Sequence, residues 1–176
     1  SVTEGGSSWA ATDGSQVGYR VEEILFGVDT TAVGRTDQVT GSLTISGTQV
    51  TNVDFEVDVA SIASDEGRRD EQFRGRIMSA DEFPTATFTL TAPIDFGEIP
   101  AEGGTVTAEA TGDLTLHGVT KTVTFEVQAT FKNGLIGVLG QIPVVFAEYE
   151  IPNPSFASIT TEDHGLLEFV LVFARS

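Results

Sequence analysis

The sequence of 176 residues contains no cysteine, two histidines and one tryptophan. Without cysteine the chain cannot form a disulfide or a thiolate zinc site, and it has no thiol nucleophile. It also lacks a phosphate-cradling glycine loop and a dinucleotide-binding fingerprint. These absences leave no positive argument for catalysis. We therefore expect a protein that is not an enzyme, with no catalytic residue, no metal site and no cofactor.

Basic residues are few as well. Nine Lys and Arg against 26 Asp and Glu give a net charge of −17. Such a field repels phosphate backbones and anionic head groups, so nucleic-acid binding is not expected. No run approaches the roughly 20 apolar residues of a membrane helix, so the chain is not expected to span a membrane. The 12 Phe outnumber Tyr and Trp together, which favours rings that fill or line an apolar interior.

The beginning of the chain is small and polar. Residues 1–8 are expected to form a flexible segment, and residues 9–176 a single domain. A start of this kind resembles a mature end left after a signal or tether has been removed. We therefore expect an extracytoplasmic location (periplasmic, secreted or tethered to the cell surface), with any signal or anchor outside this sequence.

Alternation of apolar and polar residues runs through most of the sequence. In the stretch 50–62, apolar residues at every second position alternate with Asp and Glu, which predicts a strand with one buried face. No helical pattern separates the successive strands, so the expected class is antiparallel all-β. Closure protects the edges of so long a sheet. We predict a closed antiparallel, lipocalin-like barrel of about eight strands with one short helical crossover.

His117 and Gly118 stand between two alternating runs. Gly tolerates positive φ freely, and His is among the other residues enriched there, so the pair predicts a hairpin turn. The alternative is a catalytic His117. His164, beside Glu162 and Asp163, offers a metal site as a second alternative, but without a recognised ligand spacing.

One segment, residues 64–88, breaks the alternation. It is dense in charge, and Ser64 or Asp65 is expected to cap a short helix on which Phe73 and Ile77 share a face. We interpret it as a crossover over the barrel mouth or along its side. It also holds four of the seven arginines, which either anchor a polar ligand head or pair with the neighbouring acids.

A barrel of this size has an interior that side chains just fill, or that holds one small ligand. The sequence pattern does not distinguish these two cases. The candidate lumen residues are Val21, Phe55, Val57, Phe73, Ile77, Phe88, Leu90, Leu114, Phe125, Val127, Val138, Phe146, Phe169 and Leu171.

Three blocks of the sequence carry a resemblance to a known family. They are "DVASIASDEGRRDEQFRG", "FPTATFTLT" and "GDLTLHGVTKTVTFEV", in this order, and together they are similar to the YceI-like family. The resemblance implies a lipocalin-type barrel, usually exported, whose elongated cavity holds polyisoprenoid chains such as quinone tails. By position it makes Arg69 and Asp70 candidates for a polar-head contact or for an anchor of the crossover. Glu22 and Glu23 stand where the commoner family form has a His, so a ligand role of that His does not transfer.

The leading hypothesis is therefore an exported protein that holds an isoprenoid lipid, a quinone or carotenoid-like molecule, for transport, storage or sequestration. The alternative is a filled barrel that acts at the cell surface as an interaction or stress-response module without a ligand. A hydrolase or metal-assisted enzyme that uses His117 or His164 is the third hypothesis. The oligomeric state stays open, with a homodimer as one option.

Overall fold

The computed structural model describes residues 6–98, 100–155 and 159–176, and these residues form mainly antiparallel strands. Inward-facing positions recur at every second residue, as the alternation predicts; Phe55, Val57 and Val59 are all buried. The strands are β1 (Gly6–Ala11), β2 (Gln16–Leu25), β3 (Val28–Thr36), β4 (Val39–Ser46), β5 (Gln49–Asp58), β6 (Thr85–Leu90), β7 (Ile94–Asp95), β8 (Thr105–Leu116), β9 (Val119–Lys132), β10 (Leu135–Val145), β11 (Ile159–Thr161) and β12 (His164–Arg175).

Eight of the described strands close a ring. They pair in the order β1, β4, β5, β6, β8, β9, β10 and β12, and β12 pairs back with β1. The first half of β12 pairs instead with β2, which in turn pairs with β3. The predicted closed antiparallel, lipocalin-like barrel is confirmed, because every edge of the ring finds a partner strand.

The β8–β9 hairpin turns at His117 and Gly118. Their φ angles are 53° and 76°, and Leu116 pairs with Val119, so the predicted two-residue turn is confirmed. Nδ1 of His117 lies 3.2 Å from the carbonyl oxygen of Tyr149. The imidazole therefore packs and bonds as part of the turn.

The crossover follows β5 and contains a short 3₁₀ turn, Val59–Ser61, and then a helix, α1 (Gly67–Gln72), which continues as a π-helical turn, Phe73–Ile77. A further 3₁₀ turn, Phe146–Tyr149, follows β10. The predicted helical crossover is present, but the predicted cap is wrong. Glu66 caps α1 by accepting the backbone N–H of Arg68.

Ser64 is engaged elsewhere, which explains why it does not cap the helix. Its hydroxyl donates to the carboxylate of Asp70 at 2.7 Å, and its backbone N–H donates to the same oxygen at 2.9 Å. Asp70 is buried. Its two hydrogen bonds therefore hold Ser64, in the segment that leads into α1, against the helix.

The predicted flexible segment 1–8 falls only in part on described residues, since residues 1–5 lie outside them. Residues 6–8 belong to β1, so the strand begins before the boundary expected at Trp9. They are held because β1 pairs with β4, and because the backbone N–H of Ser176 donates to the carbonyl of Ser8 at 2.9 Å.

An ion network lies on the outer face of β2, β3, β10 and β12. The carboxylate of Glu168 accepts hydrogen bonds from Arg20 at 3.1 Å, from Gln141 at 2.6 Å and from Arg35. Burial raises the pKa of Glu168, but the bonds from Arg20, Gln141 and Arg35 together outweigh it and lower the pKa below its ordinary value. Four strands are thus joined around one carboxylate.

Candidate ligand-binding site in the barrel interior

The barrel interior contains two cavities. The larger has a volume of about 470 Å³ and the smaller about 240 Å³. Both are lined mainly by apolar side chains. Ligand pockets for small molecules in proteins measure about 300–1,000 Å³, so the larger cavity has the size and polarity of an apolar ligand site.

The two cavities are stacked along the barrel axis, and β12 shows their order. Leu167 lines the larger cavity, whereas Phe169, Leu171 and Phe173 line the smaller. These four residues are spaced by two, so all of them point inward. The interior is therefore hollow at both ends of the strand.

Four phenylalanines stand between the cavities: Phe55, Phe88, Phe125 and Phe169, called here the phenylalanine quartet. Neighbouring ring centroids are 5.4–5.9 Å apart, within the range of favourable aromatic contacts. Phe55 lines both cavities. The other three rings line only the smaller cavity, so the quartet forms the end of the smaller cavity that adjoins the larger one.

The structure places every candidate lumen residue on a cavity wall, and their contact with a ligand stays a prediction. Along the larger cavity lie Val21, Phe55, Val57, Phe73, Ile77, Leu114 and Phe146. Along the smaller lie Phe88, Leu90, Phe125, Val127, Val138, Phe169 and Leu171.

The polar end of the larger cavity is built around Arg69. Its Nη2 donates to the Glu23 carboxylate at 2.9 Å and its Nη1 donates to Asp65 at 3.0 Å. Glu23 is buried and comes from β2, whereas Arg69 comes from α1. The pair therefore ties the crossover to the barrel wall and leaves the cavity end without net charge from Arg69.

One donor at this end has no partner. Nε of Arg69 is buried and makes no hydrogen bond to any described residue, although the Arg69 side chain lines the larger cavity. A buried N–H without an acceptor is costly, and because Nε has almost no accessible surface, a cavity ligand would reach it only after the crossover shifted. Asp70 does not line either cavity, and its role is the bond to Ser64.

Tyr19 and Phe73 form the wall beside Arg69. Their ring centroids are 5.0 Å apart and nearly parallel. Burial raises the pKa of the Tyr19 hydroxyl, and the nearby Arg69 guanidinium only partly opposes this. Tyr19 is therefore a neutral phenol under ordinary conditions, which suits a site for an uncharged guest.

Both cavities reach the surface, at opposite ends of the barrel. Phe26, in the turn between β2 and β3, is 78% exposed and also lines the larger cavity, as does the exposed Arg68. At the other end, the exposed Thr48 and Glu98 line the smaller cavity. Each chamber thus has its own mouth.

The two histidines lie away from both cavities. The hydrogen bond with Asp163 raises the pKa of the exposed His164. Possible ligand atoms of Glu162, Asp163 and His164 lie within 4.8 Å of one another, all on exposed residues. The enzyme hypothesis requires both histidines, or one histidine and several carboxylates, to converge in a pocket. His117 belongs to a turn near Tyr149, and the cluster of Glu162, Asp163 and His164 is exposed and lines neither cavity.

Sequence reasoning missed Glu23 as an interior residue. The signal was present, because Val17, Tyr19 and Val21 alternate towards Glu23 on the same face of β2. All four residues line the larger cavity. A carboxylate at an inward position requires a cation, and Arg69 on the crossover supplies it.

A family model described as the YceI-like domain matches residues 10–173. The chain belongs to the YceI-like family. The family predicted from the three sequence blocks is thereby confirmed.

Relatives of this YceI-like chain include a UPF0312 protein of Vibrio campbellii, 35% identical over 57% of this chain and 53% of that protein. A UPF0312 protein of Pseudomonas putida is 37% identical over 47% of this chain and 39% of that protein. The YceI-like chain thus spans about half the length, or less, of these curated relatives.

Solved structures share the YceI-like barrel. A polyisoprenoid binding domain from Saccharophagus degradans, implicated in plant cell wall breakdown, superimposes with a TM-score of 0.74 at 16% identity, over 97% of this chain and 99% of that one. Burkholderia cenocepacia BcnA gives 0.69 at 20% identity, over 90% and 95%. At these identities the likeness is one of fold. None of the helices among the described residues has the length and apolar character needed to cross a membrane.

Proposed function

We propose that this protein binds an isoprenoid lipid in the larger cavity and holds it for transport, storage or sequestration. The observation that carries the proposal is an apolar cavity of about 470 Å³ with a mouth beside Phe26 and Arg68. Burying a hydrocarbon tail gains about 0.8 kcal/mol per methylene-sized unit. The family fold, shared with a polyisoprenoid binding domain, supports a binding protein rather than an enzyme.

The polar end of the cavity favours a neutral head group, such as that of a quinone. The Arg69 charge is already matched by Glu23 and Asp65. Arg68 on the exposed rim also lines this cavity, as does Glu66, and the net charge of −17 opposes binding of a phosphate there. A carotenoid-like hydrocarbon would also satisfy the apolar walls.

Native mass spectrometry and organic extraction of the purified protein test the proposal. We expect a neutral isoprenoid to be retained, or an added isoprenoid quinone to bind with one-to-one stoichiometry in the larger cavity. Recovery of phosphorylated lipids alone would contradict the head-group argument. No retained lipid, together with no binding of an added quinone, would contradict the function.

Two alanine positions give a matched pair of variants. Ala86 lines the larger cavity and Ala129 the smaller, and both are buried on strands. Ala86→Phe adds a ring that occupies part of the larger cavity, so we expect quinone binding to weaken by about tenfold or more. Ala129→Phe leaves the larger cavity intact, so quinone binding should stay close to that of the unaltered protein.

The filled-barrel alternative requires large side chains that meet across the lumen, and the phenylalanine quartet does so. It meets this requirement at one level only, because cavities lie on both sides of the quartet. A ligand-free interaction module therefore predicts that Ala86→Phe leaves every activity of the protein unchanged. The binding function predicts the opposite.

An extracytoplasmic location is part of the same proposal. A chain without cysteine suits export because it needs no disulfide-forming step. Fractionation of the native host, followed by detection with an antibody against this domain, tests the location. Recovery in the cytoplasmic fraction alone would contradict it.

A further inference from the structure

We propose that the lumen holds two separate binding sites divided by the phenylalanine quartet, and that the smaller chamber takes a ring-sized or short branched hydrocarbon of its own. The part of the inference that concerns the larger chamber rests on the proposed function. The part that concerns the smaller chamber does not, because it depends only on the walls of that chamber.

The quartet is a closed packing of rings at the level of the partition. Phe55 contacts Phe88 and Phe169, and Phe125 contacts the same two rings, so each member touches two others. Their relative exposures are only 2–6%. On the proposed partition, a molecule that passes from one chamber to the other displaces at least one of these buried rings.

The barrel wall is shaped to hold two of these rings in place. A Cβ atom at Gly112 would lie 2.4 Å from Cζ of Phe88, and one at Gly140 would lie 2.5 Å from Cζ of Phe169. Both distances are far below van der Waals contact. Glycine on β8 and on β10 thus leaves the space into which the rings fit, so the partition depends on the wall as well as on the rings.

The smaller chamber has the chemistry of a hydrocarbon site. Buried walls come from residues such as Leu43, Ile94 and Val106, and its rim carries the exposed Thr48 and Glu98. An apolar cavity of about 150 Å³ in another protein stays dry and binds benzene. At about 240 Å³ this chamber accepts a somewhat larger molecule, with no polar group at its buried end.

The partition also sets which isoprenoids fit the larger chamber. A short tail ends before the quartet and leaves the rings undisturbed, whereas a long tail must push them apart and enter the smaller chamber. A short-tailed ligand then leaves the smaller chamber free for its own ligand. A long-tailed ligand competes with that ligand for the smaller chamber. An isoprene unit added to a tail that already reaches the quartet should therefore increase the affinity less than a unit added to a shorter tail.

Two-dimensional NMR with two probes tests this arrangement. Benzene is titrated alone and in the presence of a short-tailed isoprenoid quinone, while the amide signals of Val106 and Val57 report on the smaller and larger chambers respectively. We expect benzene to shift the Val106 signal with the same affinity whether or not the quinone is bound. The quinone should shift Val57 and leave Val106 in place.

The alanine variants separate the two sites. Ala129→Phe should weaken the benzene response at Val106 by about tenfold or more and leave the quinone response at Val57 unchanged. Ala86→Phe should do the reverse. The dispersion of the amide spectrum without ligand shows whether each variant is folded, and if one is not, milder Ala→Leu variants at the same positions repeat the test.

Three results would overturn the inference: a short-tailed quinone that abolishes benzene binding, equal loss of both responses in each correctly folded variant, or no benzene response at Val106 in the unaltered protein. The proposed function fails differently. If no quinone binds but benzene still shifts Val106, the isoprenoid assignment is wrong and the smaller site stands.

Discussion

Gly140 on β10 faces Phe169 directly across the ladder, and the wall at this point has no room for a methyl group. Gly140→Ala must move the ring of Phe169, because the added Cβ would lie 2.5 Å from Cζ. We expect the free energy of unfolding to fall by about 1–3 kcal/mol, the usual cost of overpacking a core. Urea unfolding followed by fluorescence measures this change.

Gly137→Ala, on the same strand, is the matched control for this prediction. A Cβ atom at Gly137 would meet only the carbonyl oxygen of Thr130, at 4.0 Å. Its free energy of unfolding should stay within about 0.5 kcal/mol of the unaltered protein. Equal effects of the two substitutions would mean that strand propensity, not the packing of Phe169, accounts for the loss.

Glu168 gives a prediction about pH. Its pKa is lowered in the folded protein, because the bonds from Arg20, Gln141 and Arg35 outweigh burial. A lowered folded-state pKa stabilises the protein above the unfolded-state value, and this stabilisation is lost as the pH falls through the folded-state value. Glu168→Gln should therefore lower the free energy of unfolding by about 2 kcal/mol at neutral pH, with the difference shrinking below about pH 4.

Glu56→Gln, at an exposed position on the outer face of β5, is the control for the charge change itself. Unfolding curves across the acidic range for the three proteins give the comparison. A Glu168→Gln penalty that stays constant down to the lowest pH would show that the network does not depend on the ionised carboxylate.

Some single residues could be placed from the sequence and others could not. Strict alternation placed Phe55 and Val57 inside, since a strand has only two faces. The same alternation placed Glu23 with its apolar neighbours, but its partner Arg69 lies 46 residues away on another element. The arginine that pairs with Glu23 is selected by this long-range contact. The local sequence therefore did not show which of the four clustered arginines it is.

At the scale of elements, the crossover depends on the Arg69–Glu23 pair. Arg69→Met leaves the Glu23 carboxylate buried without its cation, and we expect a loss of about 3 kcal/mol in the free energy of unfolding. Hydrogen exchange of residues 64–77 should quicken at the same time, because the crossover loses its bond to β2. Denaturant unfolding and hydrogen-exchange mass spectrometry measure the two effects.

The double substitution Glu23→Gln with Arg69→Met should recover much of this loss, since no unpaired charge is then buried. Arg74→Met, at an exposed position on the same crossover, should change the free energy of unfolding by less than about 0.5 kcal/mol. If the double variant were as unstable as Arg69→Met alone, the pair would not be the anchor.

The elements were predictable to different degrees. The β8–β9 hairpin was predictable from the sequence, because His117 and Gly118 both favour the positive φ angles of a tight turn. The crossover helix was predictable in existence but not in its start, since Ser64 was drawn from capping to the buried Asp70 carboxylate. The π-helical turn at Phe73–Ile77 had no local signal, although both end residues line the larger cavity.

At the scale of the whole molecule, the partition predicts the chain length of the ligand. Phe125→Leu removes a ring that contacts both Phe88 and Phe169, so it opens a passage between the chambers. We expect a quinone whose tail is too long for the larger chamber to bind Phe125→Leu about tenfold more tightly than it binds the unaltered protein. The free energy of unfolding should fall by about 2 kcal/mol.

Phe131→Leu is the control, since Phe131 lines only the smaller chamber and lies outside the quartet. Isothermal titration with a series of isoprenoid quinones of increasing tail length gives the comparison. Unchanged length preference in Phe125→Leu, with the fold intact, would argue that the rings do not limit the tail.

The closed barrel followed from the sequence because many short alternating strands without intervening helices leave few other ways to protect sheet edges. Whether its interior was hollow did not follow. The same phenylalanines fill one level and line the cavities beside it, and the difference arises from ring orientation and from glycines such as Gly112 and Gly140 on facing strands.

The seam between β1 and β12 brings the first and last described strands together at the end of the barrel that holds the smaller chamber. The mouth beside Phe26 lies at the far end. If the protein were fixed to a support at this end, the larger opening would face away from the support. It would then be free to exchange its contents.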